Sequence, residues 1–299
     1  MKIRQAFLTL ALLIPAALAA GAGNPHTVQG VLLKADTASR TIEVSCDAIP
    51  GYMDAMVMTF AVRDAEVLKN VKIGDTVRFT MVEEDNKEFA DHLQSISVQN
   101  YEAEPTEARR LEYLHRTLDH TATQKLIPIG GVVPNFTFTD QANRTTQLND
   151  FRGKVVVLSF AYSRCPNPNY CFRLTNNLAQ VGRRFQSRTG HSLILLTIVI
   201  EPAHDQGVAL EHYADTWKAD WSAWRFLTGP LADIRAVAER FGMDFWNYEG
   251  YLTHSFHTVV IDRDGRLAAN LEGNQFTAEQ LGDLVGTVLD RPAGNGGGN

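Results

Sequence analysis

Residues 154–173 read KVVVLSFAYSRCPNPNYCFR. The first half is a continuous apolar run, the pattern of a strand covered on both faces rather than one. A helical stretch is expected from about 172 to 187. Between the two lies a proline-stiffened loop that carries Cys165 and Cys171, two of the three cysteines in the chain. A strand running into a helix start is where backbone N–H groups stabilise negative charge. Cys171, placed at the helix start, is therefore expected to favour thiolate.

The pattern repeats outward from this stretch. SLILLTIVI is a second fully apolar strand, followed by a helix near 207–218, the strand WRFLTG and a helix near 231–241. HTVVID, the turn RDG and RLAANLEG then form a hairpin, and a last helix covers about 277–289. A parallel βαβ core closing in ββα is the thioredoxin-like order, an α/β domain over residues 131–290.

Thiolate is both the nucleophile of redox chemistry and a ligand for soft metals, so the cysteine pair is open to three uses. A plain disulfide closing this short loop would contribute only about 2 kcal/mol in the chain-entropy model. A domain of this size has no need of it. Thiol–disulfide exchangers carry C-x-x-C here, whereas this chain has C-x5-C. The segment GYLTHSFHTVVID, which precedes the later central strand, offers His254 in the loop before that strand. Two thiolates and one imidazole make a trigonal soft site suited to copper. His257 is the nearby competitor, but it starts the strand and is read as packing.

Three segments taken together resemble the SCO/SenC family: GGVVPNFTFTDQANRTTQLNDFRGKVVVLSFAYSRCPNPNYC, IEPAHD and THSFHTVVIDRDG. The resemblance covers about residues 130–290. It implies a thioredoxin fold and a membrane-facing copper chaperone that helps assemble the dinuclear copper centre of cytochrome c oxidase. The family's ligands, two cysteines in C-x-x-x-C-P and a histidine, carry over to Cys165, Cys171 and His254. The chain departs from the pattern in three ways. The cysteine spacing is two residues longer, Phe172 replaces the proline, and Thr253 stands where an acidic residue is usual. The family's acidic D-P-x-x-D-T stretch appears as Glu201 to Gln206 and is kept in part.

Residues 27–100 read differently. VQGVLLKAD, RTIEVSC, MVMTFAV, GDTVRFTMVEE and HLQSISVQ are short β-rich runs separated by turn signals. Five such strands suit a small β-barrel of the OB type, so the chain is multidomain. Met56 and Met58 lie two apart on one strand and share a face, with Met53 in the loop before them. Cys46 ends the strand TIEVSC on the face of Ile42 and Val44. Thioether and thiolate sulfur select Cu(I), although methionines also serve as core fillers. CDAIPGYMDAMVMTF resembles the copper-binding motif of CusF-like periplasmic domains, which use one histidine and an M-x-M pair. The resemblance implies Cu(I) bound by Met56 and Met58, with Met53 near the place of a covering aromatic and Cys46 in place of the histidine. That assignment also accounts for the unpaired third cysteine.

The remaining segments bound the setting. Lys2 and Arg4 precede the apolar run AFLTLALLIPAALAA, the order of a secretory signal peptide over residues 1–20. Export places the protein in the periplasm, anchored to the inner membrane if the signal stays uncleaved. Residues 101–130 read as a helical linker and 291–299 as a disordered tail. A net charge of −6 gives no support to nucleic-acid binding. The expected function is a periplasmic metallochaperone holding Cu(I), or Cu(II) at the SCO-like site. The partners implied are a copper receiver such as cytochrome c oxidase subunit II and a thiol reductant of the thioredoxin type. Two rival readings stand beside it. One is a thiol–disulfide oxidoreductase in which Cys165 and Cys171 are the redox-active pair; the other is a copper buffer or sensor.

Overall fold

The structure is a computed structural model that describes residues 25–84, 87–96, 125–248 and 251–292. The expected signal peptide, most of the linker (101–124) and the tail from 293 lie outside the described residues. Residues 125–130, the described end of the linker, are irregular rather than helical.

The first domain is a closed barrel of five strands in the order β1-β2-β3-β5-β4. They are β1 (His26–Asp36), β2 (Thr41–Cys46), β3 (Met56–Ala61), β4 (Thr76–Glu84) and β5 (Lys87–Ser95). All neighbours are antiparallel except β3 and β5, whose parallel pairing closes the barrel. Alternation sends Val28, Ile42, Val44, Val77 and Phe79 inward to a buried core. β5 starts five residues before the expected HLQSISVQ run. It pairs with β4 antiparallel, with a register shift near Arg78, and His92 takes a left-handed φ of 57°.

The second domain is built on a seven-stranded sheet in the order β14-β13-β8-β9-β10-β6-β7. Its centre is the parallel trio β8 (Val155–Ala161), β9 (Leu193–Val199) and β10 (Trp224–Thr228). Every residue of β8 and β9 is buried, which is why their sequences run apolar without alternation. Antiparallel β13 (His257–Ile261) and β14 (Leu267–Glu272) extend one edge. The hairpin β6 (Thr137–Asp140) and β7 (Thr145–Gln147) extends the other. Four helices complete the domain: α1 (Arg173–Arg184), α2 (Gly207–Thr216), α3 (Leu231–Arg240) and α4 (Ala278–Leu289). A separate hairpin, β11 (Phe245–Tyr248) with β12 (Tyr251–His254), leads into β13.

The two domains share buried surface. With Val28 and Leu32 in the barrel core, alternation along β1 turns Val31 and Leu33 outward into one apolar cluster with Leu281, Leu284 and Ala269 of the second domain. Gly74, at φ 95°, sits so close to β14 that an added Cβ would come within 3.2 Å of Ala269 and Asn270. The barrel is therefore seated on α4 and β14 rather than tethered by a linker alone.

Candidate metal centres

β8 ends beneath the loop 163–172, and neighbouring elements hold that loop at several points. Asp205, fully buried after β9, accepts from the Ser163 amide at 2.9 Å and from the Ser163 hydroxyl. Its Oδ1 also lies 2.8 Å from His204 Nδ1. Arg164 pairs with Glu201. The partly kept acidic stretch therefore braces the two residues before Cys165. Further on, Asn274 donates to the Asn169 carbonyl at 2.8 Å and Arg173 donates to the Gln275 carbonyl at 2.9 Å. Cys171 lies in a wide helical turn, Pro168–Phe172, just before α1, and its carbonyl accepts from Thr175 at 2.7 Å.

His254 completes the site. Its Nε2 lies 3.4 Å from Cys171 Sγ, and its Nδ1 lies 2.8 Å from the Ser255 carbonyl. A carbonyl can only accept, so Nδ1 carries the proton and Nε2 turns a lone pair toward the sulfur. The ring is 6% exposed and is held edge-on between Tyr162 and Phe256. His254 ends a strand rather than sitting in the expected loop, because the short β11–β12 hairpin carries it to Cys171. His257 is buried in β13, with Nδ1 3.0 Å from Asn270 Oδ1, and burial pushes its imidazole down.

The two thiols are unlike. A hydrogen bond from Cys171 lowers the Cys165 thiol to about 4; burial opposes this, and backbone hydrogen bonds at Cys171 and Asn167 add to it. Burial pushes the Cys171 thiol up, and the adjacent Cys165 sulfur adds to the rise. This corrects the expectation that the helix start would make Cys171 the acidic thiol. Cys171 is buried deeply enough for desolvation to outweigh the helix, and the charge settles on half-buried Cys165. All three cysteines are free.

The donor types at Cys165, Cys171 and His254 fit a soft ion such as copper. Among the described residues, the compact group of donors within 4.8 Å of one another is instead Glu201, His204 and Asp205. Those side chains are engaged with Arg164 and Ser163. The cysteine–histidine set is more open than this group, so binding one ion through all three donors would draw them closer together.

The barrel carries a second set of soft donors. Cys46 lies directly opposite Met56 across β2 and β3, and Val44 lies opposite Met58. Opposed residues share a face, so Cys46, Met56 and Met58 all lie on the inner face at one barrel end. Cys46 is 1% exposed and Met56 51%; Met53, bridged to Ile49, and Met58 are half-buried against the barrel core. Burial first, then Asp47 and Glu88, pushes the Cys46 thiol up to about 12. Sequence reasoning missed three neighbours at this end. His26 stacks on Tyr52 with ring centroids 3.9 Å apart, and buried Met81 lies opposite His26 in the register. Alternation from Val28 and Phe79 would have placed His26 and Met81 on the inner face.

Residues 124–289, more than half of the chain, match the sequence family described as SCO1/SenC. The chain belongs to the SCO1/SenC family. Residues 25–94 match the family of the copper binding periplasmic protein CusF. The SCO1 protein homolog of Bacillus subtilis (strain 168) is 19% identical over 159 residues, spanning 50% of this chain and 78% of that protein. Yeast Sco1 with copper bound is 20% identical over 55% of this chain and 91% of its own, with a TM-score of 0.46. The SCO1/SenC family lipoprotein from Bacillus anthracis str. Ames is 23% identical over 53% and 95%, with a TM-score of 0.48. Both the SCO1/SenC and the CusF families bind copper. No helix among the described residues is long and apolar enough to cross a membrane.

Proposed function

We propose that the chain is a two-domain copper metallochaperone, exported to the periplasm. The SCO-like domain would hold copper at Cys165, Cys171 and His254. The barrel would hold Cu(I) through Cys46, Met56 and Met58, with Met53 covering the barrel end. The receiver would be a copper protein such as cytochrome c oxidase subunit II. The observation that carries this reading is the His254 tautomer: a buried imidazole lone pair aimed at a thiol is a metal-ready pair. Both thiols must be deprotonated to chelate, so a Cys165–Cys171 disulfide would block the site and act as a redox lock.

The test is an anaerobic Cu(I) titration of the reduced protein, repeated with Cys165→Ser, His254→Ala and Met56→Leu. Each substitution is expected to weaken binding at its own site and leave the other site unchanged. A stoichiometry below one that none of them changes would refute the reading.

The thiol asymmetry favours a second reading, a protein-disulfide reductase. The Cys165 thiolate would attack a target disulfide, forming a mixed disulfide and releasing one target thiolate. Cys171, losing its proton, would then attack Cys165 sulfur and release the second thiolate. The two electrons come from the cysteine pair, which a thioredoxin-type reductant would restore. Fast exchange on a model disulfide, undiminished in His254→Ala, would support this reading over the first.

A further inference from the structure

Cys46 is the last residue of β2, and the second domain holds the backbone on both sides of it. Gln280, in the first turn of α4, is 6% exposed. Its Nε2 donates to the Ser45 carbonyl at 3.2 Å and to Asp47 Oδ1 at 2.7 Å. Its Oε1 accepts from the Thr277 amide at 2.9 Å, which fixes the orientation of the side-chain amide. Flipped, it would set oxygen against two acceptors and nitrogen against a donor. One turn on, Asp283 accepts from the Ser45 hydroxyl at 2.7 Å and from Arg184 at 2.6 Å.

The opposite side of Cys46 is closed as well. Gly30 lies across from it in β1, and an added Cβ there would come within 2.8 Å of Cys46 Cα. Cys46 is thus clamped between a glycine of its own barrel and a glutamine of the other domain. Without Gln280, the end of β2 would keep its pairing to β1 and β3 and the Asp47 amide's bond to the Gln29 carbonyl at 2.8 Å, but the Ser45 carbonyl and the Asp47 side chain would lose their partner across the domain contact, and strand ends open locally at low cost. A soft-metal site tolerates little such movement, because its ligands must stay within about 0.5 Å of the bound geometry.

We propose that Gln280 is a positioning residue for Cys46, so that the barrel's Cu(I) site is completed from the SCO-like domain. The inference rests on the reading of the barrel as a Cu(I) site and goes beyond it. Cu(I) affinity at the barrel then depends on the hydrogen bonds that Gln280 makes to Ser45 and Asp47 across the domain contact, not on apolar packing between the domains.

The test uses the full chain carrying Cys165→Ser and Cys171→Ser, so that only the barrel binds Cu(I). Gln280→Ala and the near-isosteric Gln280→Glu are compared with Leu33→Ala, which loosens the same domain contact through apolar packing alone. If alanine at 33 prevents folding, Leu33→Val replaces it. Cu(I) affinity is read by competition with a chromophoric chelator, together with the ultraviolet Cu(I)–thiolate charge-transfer band and the unfolding temperature. Both Gln280 variants are expected to bind about 10- to 100-fold more weakly, the usual cost of losing a partner that orients a ligand, and to shift the band. The Leu33 variant should lower the unfolding temperature while leaving affinity and band unchanged. Unchanged affinity in both Gln280 variants would overturn the proposal, as would an equal loss in the Leu33 variant. Absence of Cu(I) binding in the parent background would instead refute the reading of the barrel itself, and this inference with it.

Discussion

His254 holds Nε2 3.4 Å from Cys171 Sγ while the Ser255 carbonyl fixes its Nδ1 at 2.8 Å. The imidazole is therefore set in the tautomer a metal requires before any metal arrives.

Replacing the ring tests this arrangement. His254→Ala should reduce Cu(I) affinity at the cysteine pair by about 100-fold, the upper end of the range for losing even an indirect partner. Competition titration in a Met56→Leu background isolates the effect. Unfolding temperature should change modestly, because the lost packing is that of one ring against Tyr162 and Phe256.

The unequal thiols give a pH signature in the metal-free, reduced protein. The Cys165 thiol is lowered to about 4, chiefly by the Cys171 hydrogen bond. A depressed pKa means the thiolate contributes stability above the unfolded value, and that contribution disappears as pH falls through about 4. Alkylation of Cys165 should therefore stay nearly flat around neutral pH and fall only near the folded value. In Cys171→Ala the midpoint should move up, since the largest stabilising interaction has gone. Mass spectrometry of the alkylated peptide distinguishes the two cysteines.

Asp205 should matter for folding as well as for copper. Its carboxylate is fully buried and accepts from the Ser163 amide and hydroxyl. Asp205→Ala leaves those donors unpaired, which should cost about 2–3 kcal/mol in denaturant unfolding. Copper binding at Cys165 should weaken in the same variant, because Ser163 and Arg164 lead directly into that cysteine. The barrel site should be untouched.

Gly30→Ala tests the barrel end from the opposite side to Gln280. An added Cβ would come within 2.8 Å of Cys46 Cα, so β1 and β2 must separate. Overpacking of this kind should destabilise by about 1–3 kcal/mol. Cu(I) bound by the barrel should weaken, while the Cys165–Cys171 site keeps its affinity in parallel titrations.

Much of this was legible in the sequence, for identifiable reasons. VVVLSFA and LILLTIV announce central strands because every residue in them is buried. The barrel strands announce themselves by alternation and turn residues. The hairpins β6–β7 and β11–β12 escaped because strands of three or four residues carry too little periodicity to read. The second of these hairpins is what brings His254 to Cys171. The acidity of Cys165 rather than Cys171 depends on burial, which spacing does not reveal. The seating of the barrel was the least visible feature. Val31 and Leu33 sit in a run apolar on both faces, which hinted at a second buried side of β1. Gln280 and Asp283 look like ordinary polar positions on a surface helix until Ser45 is placed beside them.

Copper K-edge X-ray absorption on the reduced protein carrying Cys46→Ser and Met56→Leu tests the central claim most directly, because only the SCO-like site can then load. If Cys165, Cys171 and His254 converge on one ion, the spectrum will show two sulfur scatterers and one imidazole nitrogen. His254→Ala will remove the imidazole signature while leaving the sulfurs. A first shell of oxygen and nitrogen alone, or an imidazole that persists in His254→Ala, would contradict the account.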